Sequence, residues 1–498
     1  MKKKYILAID QGTTGTRAFI FNNKGITVAS AYKEFKQYYP YPGWVEHDAQ
    51  EIWKSCKDVI NTSIRKANIS STQIAGIGIT NQRETTVLWD RKTSKPVARA
   101  IVWQCRRTAQ ICQSLKRYEN IFRRKTGLVL DPYFSGTKIK WLLDQYKGLR
   151  TKAEKGSLCF GTIDSWIIWN LTGGKAHVTD YTNASRTLIF NIKTKSWDAE
   201  LLKILKIPKR ILPKVQKSGS IFGHTNKNAR NRDLKILDGV AISSVLGDQQ
   251  AALYGQGCHQ PGTIKNTYGT GCFMVLNTGQ KRVLSKKGLL TTLASDEKGN
   301  PVYALEGSVF IAGAVVQWLR DELGVIKISK ETELLIKDVA DTQGVYFVPA
   351  FSGLGAPYWD SKARGVISGL TRGANAKHII RASLEAIAYQ TKDVFDVMKK
   401  ELNKKLNDLK VDGGASSNGF LMQFQADILS CKIIRPKNVD TTVLGAALLA
   451  GVTVGLWEGK KDLDKINKTE RIFYPKMTTK RRTELYSGWV KAVNKARA

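Results

Sequence analysis

The sequence predicts an α/β fold made of two similar lobes, because two β-hairpins with glycine-rich tips occur about half a chain apart. The first is AIDQGTTGTRAFIFNNKG, and the second is GTIKNTYGTGCFMVLNTG. In both, short β-branched and aromatic runs flank the glycines. After the first hairpin, helical stretches such as AQEIWKSCKDVINTSIRKA alternate with strand runs such as QIAGIGIT, which is typical of a mixed or parallel sheet.

The tip of the first hairpin has the composition of an anion-binding turn. It lacks the Lys-Ser or Lys-Thr of a Walker A loop and the helix that a dinucleotide fingerprint requires. The backbone N–H groups and the hydroxyls of Thr13, Thr14 and Thr16 offer donors to an anion, with Arg17 beside them. We expect Asp10 to hold a hydrated Mg²⁺, which favours carboxylates, water and phosphate oxygens. The alternative is an ordinary polar turn with Asp10 as a local acceptor.

A third glycine cluster, VDGGASSN, lies between the strand-like DLKVD and the amphipathic GFLMQFQADIL. Gly413 and Gly414 lack side chains, so a flat base can lie against their backbone, and Ser416, Ser417 and Asn418 are available to a ribose or base. In this order, the three clusters resemble the split ATPases of the actin, hexokinase and Hsp70 type.

The composition agrees with a multidomain enzyme of the cytoplasm. At 498 residues the chain is long enough for two or more domains with sizeable cores. No apolar run reaches the length of a membrane span, and MKKKYILAIDQ leads directly into a strand. The seven cysteines are odd in number and scattered, which favours a reducing compartment over a disulfide scaffold or a zinc site.

The net charge of +37 raises a competing hypothesis, that the chain binds nucleic acid or an anionic surface. The basic residues are spread through stretches such as SLKRYENIFRRK, VMKKELNKK and TTKRRTEL, and they form no single arm. We therefore expect no specific nucleic-acid partner and no membrane insertion.

Arg83 and Glu84 follow the strand run AGIGIT and form a candidate polyol site. On a regular strand they point to opposite faces, but at its end both can reach one ligand. The guanidinium supplies donors and the carboxylate supplies acceptors, which suits a small molecule with vicinal hydroxyls. The alternative is a surface ion pair, worth about 0–1 kcal/mol. Trp103 and Tyr133, further along the chain, are core aromatics by default.

Asp248 is the most suggestive acid in the sequence. In AISSVLGDQQAALYGQG a strand-like run ends at Gly247, and a helical stretch begins directly after this acid. An N-cap role for Asp248 is an alternative that does not exclude a catalytic one. In phosphoryl transfer, an Asp that accepts the substrate's hydroxyl proton is a recurrent device, contributing about 10²–10⁴-fold.

The chain resembles the FGGY family of carbohydrate kinases in motifs that run from the first strand almost to the end: DQGTTGTR, GWVEHD, GITNQRET, IVWQCRR, DPYFSGTK, HVTDYTNASRT, GDQQAALYGQ, KNTYGTGCF, PAFSGLGAPYW, RGVISGLTRG and VDGGASSN. GITNQRET and WQCRR are most similar to the members that phosphorylate glycerol. The resemblance implies two actin-like (ribonuclease H-like) ATPase domains with the active site in the cleft between them. We expect residues 1–257 to bind glycerol and phosphates and to carry the base, and residues 258–498 to bind the nucleotide.

The resemblance also implies a role for individual residues. Asp248 is the implied catalytic base. The implied polyol-binding residues are Arg83, Glu84, Trp103, Tyr133, Asp248, Gln249 and Phe273. The implied nucleotide-binding residues are Thr13, Thr14, Gly15, Arg17, Thr270, Gly313, Gln317, Gly414 and Asn418. Asp10 is the implied contact of the metal, and Gly15 departs from the serine of some relatives, which removes a hydroxyl but keeps backbone donors.

The implied reaction is the transfer of a phosphoryl group from ATP, with Mg²⁺, to glycerol, giving ADP and sn-glycerol 3-phosphate. The implied assembly is a homodimer or homotetramer in the cytoplasm. Two alternatives remain: a kinase of the same family that acts on another polyol or a pentulose, and a catalytically silent split-ATPase binding protein.

Many members resembling this chain are inhibited by fructose 1,6-bisphosphate through a glycine-rich loop upstream of GDQQ. Here HTNKNARNRDLKILDG has no glycine between His224 and Gly239, so the anion nest is missing. Lys227, Arg230 and Arg232 offer only salt-screened attraction to a phosphate. We therefore expect neither strong inhibition nor a change of oligomeric state with millimolar bisphosphate at physiological salt.

Overall fold

The structure, a computed structural model, describes residues 3–226, 234 and 237–498. The chain packs into two compact units. The first unit comprises Met1–His259, Thr291–Tyr303 and Thr442–Ile466, and the second comprises Gln260–Leu290, Ala304–Thr441 and Asn467–Ala498. Lys227, Arg230 and Arg232, on which the expectation about bisphosphate rests, lie outside the described residues.

Up to residue 259 groups of strands and groups of helices follow one another, and the helix over AQEIWKSCKDVINTSIRKA is followed by the strand of AGIGIT, as the sequence predicts. The strands are β1 (Tyr5–Gln11), β2 (Gly15–Asn22), β3 (Thr27–Glu34), β4 (Gln37–Tyr38), β5 (Glu46–His47), β6 (Ile74–Asn81), β7 (Val87–Asp90), β8 (Ala100–Ile101), β9 (Leu158–Gly161), β10 (Val178–Asp180), β11 (Phe190–Asn191), β12 (Ser196–Trp197), β13 (Lys214–Gln216), β14 (Gly223–His224) and β15 (Ala241–Gly247). The helices are α1 (Ala49–Ala67), α2 (Ala109–Ser114), α3 (Glu119–Thr126), α4 (Ser135–Gln145), α5 (Leu149–Glu154), α6 (Ile163–Leu171), α7 (Tyr181–Ala184), α8 (Ala199–Leu205) and α9 (Asp248–Gly255).

From residue 260 onward groups of strands and helices again follow one another. The strands are β16 (Ile264–Tyr268), β17 (Cys272–Gly279), β18 (Leu290–Ser295), β19 (Pro301–Val309), β20 (Tyr346–Val348), β21 (Val366–Ser368), β22 (Asp408–Asp412), β23 (Lys432–Pro436) and β24 (Thr469–Phe473). The helices are α10 (Gly313–Asp321), α11 (Glu331–Leu335), α12 (Ala376–Leu402), α13 (Gly419–Leu429), α14 (Thr441–Thr453), α15 (Lys460–Ile466) and α16 (Thr479–Arg497).

The main sheet of the first unit has the strand order β14-β15-β6-β1-β2-β3. β1, β2 and β3 form an antiparallel meander, and β6 and β15 add to β1 in parallel. Both parallel strands therefore end at the same edge as β1. This edge collects the residues that follow Gln11, Asn81 and Gly247.

Both faces of this sheet are buried, because the side chains of β1 alternate between two helical layers. Leu7 and Ile9 pack with residues of α1, such as Ile60. Ile6 and Ala8 pack with residues of α14. The glycines of the run AGIGIT allow the helix of this second layer to approach the strand closely, since a Cβ on Gly78 of β6 would overlap the carbonyl of Ala446. Helix α14 therefore lies directly against the strand backbone, and the Ser244 hydroxyl donates a hydrogen bond of 2.7 Å to the same carbonyl.

The main sheet of the second unit repeats this order. It runs β19-β17-β16-β22-β23-β24. β16 and β17 are an antiparallel hairpin, and β22 and β23 follow in parallel. The order 3-2-1-4-5 therefore occurs once in each unit, with β1 and β16 as the first strands. The second core is one large cluster built around α12, to which Ile387, Tyr389 and Met398 contribute.

In the part of the chain that the structure describes, no helix is both long and apolar enough to cross a membrane.

Candidate active site

The tip of the first hairpin is a tight turn whose carbonyls are bound by the protein. The N–H of Gly12 donates to the carbonyl of Gly15 at 2.9 Å, which closes the turn. Gln37 Nε2 donates to the carbonyl of Thr13 at 3.0 Å. Thr13 is half-buried and Thr14 is exposed. The carbonyls of Thr13 and Gly15 are therefore engaged within the first unit.

Asp10 and Arg17 face each other across the first hairpin. They are register partners on β1 and β2. Arg17 donates to Asp10 Oδ2 from Nη2 at 2.5 Å and from Nε at 3.1 Å. Asp10 is 5% exposed. The alternative interpretation had Asp10 accept a hydrogen bond within its own turn, but the carboxylate accepts from Arg17 on the facing strand instead. One carboxylate and one guanidinium therefore lie at the base of the tip.

Arg83 and Glu84 follow the end of β6 in a buried turn. Their side chains are each 2% exposed, so the alternative of a surface ion pair is wrong. Glu84 has a left-handed backbone with φ 61°, which breaks the alternation of the strand. Arg83 Nε lies 3.9 Å from Glu84 Oε1 and 3.2 Å from Asp248 Oδ1. One guanidinium therefore stands between two carboxylates.

Two further cations surround this pair, and the sequence reasoning missed both. Arg186 is fully buried and donates from Nε to Glu84 Oε1 at 2.6 Å. Lys138 is also fully buried; its ammonium donates to the carbonyl of Tyr133 at 2.7 Å, and burial lowers its pKa to about 7. The motifs HVTDYTNASRT and DPYFSGTK contain these residues. The contact of Arg186 with Glu84 joins residues 102 positions apart, so it leaves no local pattern.

Asp248 is the first residue of α9, and Gly247 is the N-cap. The N-cap alternative for Asp248 is therefore wrong by one position. Its Oδ1 accepts a hydrogen bond from the N–H of Gln249 at 2.7 Å, and its side chain is 32% exposed. A Cβ on Gly247 would lie 2.7 Å from Cδ of Arg83, so the close approach of the arginine to this turn requires glycine. Gln249 itself is 8% exposed.

Trp103 and Tyr133 are half-buried, which differs from the default expectation of core aromatics. Their rings meet edge to face with centroids 5.6 Å apart. Trp103 Nε1 donates to the hydroxyl of Thr13 at 3.0 Å. The guanidinium of Arg186 lies 5.5 Å from the centre of the Tyr133 ring. These contacts join the aromatic pair to the hairpin tip on one side and to the Glu84 cluster on the other.

The tip of the second hairpin is also closed by a hydrogen bond between two glycines, but its loop, residues 269–271, is shorter than the loop 12–15 of the first tip, and a helix supports it. Gly269 N–H donates to the carbonyl of Gly271 at 2.9 Å. At the start of α10, Gly313 N–H donates to the Gly269 carbonyl at 2.9 Å, and Ala314 N–H donates to the Thr270 carbonyl at 3.1 Å. Thr270 and Gln317, which lies on α10, are exposed. Phe273 on β17 is half-buried.

The third glycine cluster is a strand, turn and helix, as predicted. A 3₁₀ turn over Gly414–Ser417 follows β22, and Asn418 Oδ1 caps α13 by accepting from Leu421 N–H at 2.9 Å. A Cβ on Gly414 would meet nothing within 4 Å, so its surface is open. The two serine hydroxyls bind carbonyls of their own turn, at 2.6 Å for Ser416 and 2.8 Å for Ser417. The hydroxyls expected to contact a ribose or base are therefore engaged within the turn.

Within the described ranges 3–226, 234 and 237–498, no group of three or more His, Cys, Asp or Glu side chains is arranged to hold a metal ion. Asp10 is a single carboxylate, so any ion near it needs other oxygen ligands.

A five-stranded order that occurs twice, with a glycine-rich hairpin opening each copy, defines the class of actin-like ATPases. Comparisons with known proteins identify the family. Residues 5–255 match the model of the N-terminal domain of the FGGY family of carbohydrate kinases, and residues 264–454 match the model of the C-terminal domain. The chain belongs to the FGGY family of carbohydrate kinases.

Individual relatives agree with this assignment. The chain is 56% identical to a protein named glycerol kinase from Alkaliphilus metalliredigens, over 99% of this chain and 98% of the relative. It is 57% identical to a glycerol kinase from Caldanaerobacter subterraneus, with the same coverage of each. Among solved structures, a Plasmodium falciparum glycerol kinase with ADP has a TM-score of 0.92 and 37% identity, covering 100% of this chain and 99% of that one.

Proposed function

We propose that this protein phosphorylates glycerol, using ATP to form sn-glycerol 3-phosphate and ADP. The observation that carries the proposal is the buried cluster in which Arg83 stands between Glu84 and Asp248, with Nε–O distances of 3.9 and 3.2 Å. It offers one set of donors between two sets of acceptors, the pattern that a row of vicinal hydroxyls requires. The names of the relatives at 56% and 57% identity support glycerol as the polyol.

In the proposed reaction Asp248 is the general base. Its carboxylate accepts the proton of a terminal hydroxyl while that oxygen forms a bond to the γ-phosphorus of ATP. The bond between this phosphorus and the β–γ bridging oxygen breaks, and ADP leaves with that oxygen. Arg83, at 3.2 Å from Asp248 Oδ1, holds the base in position.

We propose further residues as contacts of the polyol. Arg83 and Glu84 would bind the remaining hydroxyls, and Tyr133 and Gln249 would add polar contacts. Trp103 and Phe273 would cover the carbon side of the polyol. Arg186 supports this scheme, because its bond to Glu84 Oε1 fixes the carboxylate and balances its buried charge.

The proposed nucleotide contacts come from glycine-rich turns in both units. In the first unit, the backbone and hydroxyls of Thr13 and Thr14, the backbone of Gly15 and the guanidinium of Arg17 would bind phosphate oxygens. In the second unit the proposed contacts are Thr270, Gly313, Gln317, Gly414 and Asn418. The open surface of Gly414 supports a role in contacting the nucleoside.

We also propose that Mg²⁺ takes part, with Asp10 as its protein contact. The residues fit the ion when it arrives with ATP, because Mg²⁺ is commonly held by one or two carboxylates plus phosphate oxygens and water. When bound it would neutralise phosphate charge. Arg17, paired with Asp10 at 2.5 Å, fixes the orientation of this carboxylate.

The remaining expectations stay proposals. Residues 1–257 would bind glycerol and phosphates and carry the base, and residues 258–498 would bind the nucleotide. We propose a homodimer or homotetramer, which sedimentation equilibrium would test. A cytoplasmic location is proposed because ATP, the co-substrate, is supplied there.

The proposal is tested by coupled measurement of ADP release with glycerol, xylulose, ribulose and gluconate, each against a reaction without polyol. We expect glycerol to give the highest kcat/KM and a phosphorylated product that glycerol 3-phosphate dehydrogenase oxidises. Preference for another polyol would transfer the proposal to that substrate. If none of the four polyols raised ADP release above the reaction without polyol, the result would contradict the proposed kinase activity and support a silent ATP-binding protein.

A further inference from the structure

Asp180, a buried carboxylate outside the proposed polyol contacts, binds an unusual number of donors. It is fully buried at the N-cap of α7 and accepts from the N–H groups of Thr182 and Asn183, both at 2.9 Å. It also accepts from the Thr182 hydroxyl at 2.7 Å, from Asn183 Nδ2 at 2.9 Å and from the Ser218 hydroxyl at 2.7 Å. The backbone and amide donors can only donate, so this site requires a carboxylate that accepts.

One arm of this network reaches the turn that carries the proposed base. The Thr182 hydroxyl donates to Asp180 and accepts from the N–H of Gly247 at 2.8 Å. Gly247 is the N-cap of α9 and directly precedes Asp248. A threonine hydroxyl has one proton, so the bond to Asp180 orients its lone pairs toward Gly247.

A second arm reaches the strand end that carries the arginine and glutamate. Asn183 and Asn81 form a reciprocal amide pair, with N–O distances of 3.0 and 3.1 Å. Asn81 is the last residue of β6, and its amide also donates to the Gln82 carbonyl at 2.8 Å. Asn183 in turn is fixed because both its backbone and its side-chain nitrogen bind Asp180.

We propose that Asp180 is a positioning residue for catalysis and that it acts through Thr182 and Asn183. The Thr182 arm fixes the turn before Asp248, and the Asn183 arm fixes the strand end before Arg83. Asp180 itself touches neither Asp248 nor Arg83 through any of these bonds. The inference rests on the proposed function, since it assigns a role relative to the proposed base and polyol contacts.

The two arms should be separable kinetically. Thr182→Val keeps the shape of the side chain but removes the acceptor of Gly247 N–H. We expect kcat to fall about 10- to 100-fold, because displacing the Asp248 carboxylate by about 1 Å can lower the rate by up to that factor. The KM for ATP should change little. Asn183→Ala releases the strand end, so we expect it to raise the KM for glycerol by more than Thr182→Val does.

Thr179→Val is the matched control for the first arm. Thr179 is a buried threonine in the same segment, and its hydroxyl donates at 2.6 Å to another buried acid, Asp164. The substitution removes the same kind of bond, so it controls for lost stability. We expect it to leave kcat unchanged at a temperature where it and Thr182→Val are both folded. Thr182→Ser, which keeps the hydroxyl, should restore most of kcat.

The experiment measures ADP release on whichever polyol of the panel the wild-type protein uses, so a different substrate would alter the proposed function without affecting this test. A crystal structure of Thr182→Val gives a readout that does not depend on activity: we expect the Asp248 carboxylate to move away from Arg83. Equal kcat for Thr182→Val and wild type, or equal losses in Thr182→Val and Thr179→Val, would overturn the inference. So would an unmoved Asp248 in that structure.

Discussion

The hairpin tips of the two units are each closed by a hydrogen bond between two glycines, but they differ in loop length and in the side chains at the base. In the first tip Asp10 faces Arg17, and in the second Thr267 occupies the equivalent position and faces Phe273. The first tip thus has an ion pair at its base, and the second has an uncharged pair. A sheet that occurs twice need not carry the same chemistry twice.

The tips also differ in what holds them. The first is bound by a side chain and a loop: Gln37 Nε2 donates to the Thr13 carbonyl at 3.0 Å, and Phe35 N–H donates to the Thr14 carbonyl at 3.3 Å. The second is bound by backbone N–H groups at the start of α10. We infer that charged side chains of the first unit carry the chemistry, whereas the second contributes backbone surfaces. Four predictions test this division.

The largest effect is expected at the base. Asp248→Asn keeps the size of the side chain but removes the proton acceptor, so kcat should fall by about 10²–10⁴-fold while the KM for ATP stays nearly constant. Steady-state kinetics with both substrates measures this. Asp90→Asn is the control, since Asp90 ends β7 outside the proposed site and accepts hydrogen bonds from its own turn, at 2.8 Å from Thr93 N–H for example. Near wild-type turnover in Asp248→Asn would contradict the assignment of the base.

The next effect concerns polyol recognition. Glu84→Ala removes an acceptor from a dry site, which costs about 1–3 kcal/mol, or about 5- to 150-fold in the KM for glycerol. The KM for ATP should change little. Because this change also leaves Arg186 without its carboxylate, Glu84→Gln serves as a milder second variant with the same expected direction.

Glu46→Ala is the control for this prediction. It breaks a comparable pair, in which Arg107 Nη2 lies 2.7 Å from Glu46 Oε1. Its kinetics should resemble those of the wild type. Equal increases of both KM values in Glu84→Ala would show that the residue does not act in the polyol site. They would also weaken the inferred division of roles between the two units.

The sequence predicted the local elements of this site and missed the long-range contacts. Both hairpins, the turn before Asp248 and the strand–turn–helix at Gly414 were predicted, because glycines, threonines and flanking apolar runs mark them locally. The contacts of Arg186 with Glu84 and of Asn183 with Asn81 join residues about a hundred positions apart, so no periodicity reports them.

The packing of two late segments is a similar case. Thr291–Tyr303 and Thr442–Ile466 belong to the first unit, although both come after the second hairpin begins. Helix α14 is apolar on all sides, so its sequence shows that it is buried but not against which sheet. The close approach of its backbone to Gly78 and the bond from Ser244 to Ala446 identify the partner, and a sequence does not display these contacts.

A smaller effect is expected in the second tip. A Cβ on Gly271 would overlap the backbone carbonyl of Val309, which cannot move away without shifting β19. Gly271→Ser should therefore displace the tip and raise the KM for ATP by about tenfold, with little change in the KM for glycerol. Gly373→Ala is the control, since a Cβ there first meets the end of a side chain, Gln343 Oε1 at 3.2 Å. An unchanged KM for ATP would remove this tip from the nucleotide site.

The smallest effect is expected at the matching glycine of the first tip. A Cβ on Gly15 would lie 2.5 Å from Cε2 and 2.7 Å from the hydroxyl of Tyr32. Unlike the Val309 carbonyl, this neighbour is the end of a side chain that is 55% exposed, so it can swing away. Gly15→Ser should therefore raise the KM for ATP by no more than about threefold, because a surface rotamer change costs little.

Combining Gly15→Ser with a change at Tyr32 distinguishes the steric effect of the Tyr32 ring from the effect of its hydroxyl. Tyr32→Ala removes the ring, so the double variant should have a KM for ATP at or below that of the wild type, since the serine adds a donor near the phosphates. Tyr32→Phe keeps the ring and should give no such relief. Both changes remove the bond from the Tyr32 hydroxyl to Glu34, 3.1 Å long, so that loss is matched. A tenfold or larger effect of Gly15→Ser that Tyr32→Ala does not relieve would mean that the first tip is as rigid as the second, and the contrast between side-chain and backbone support would fail.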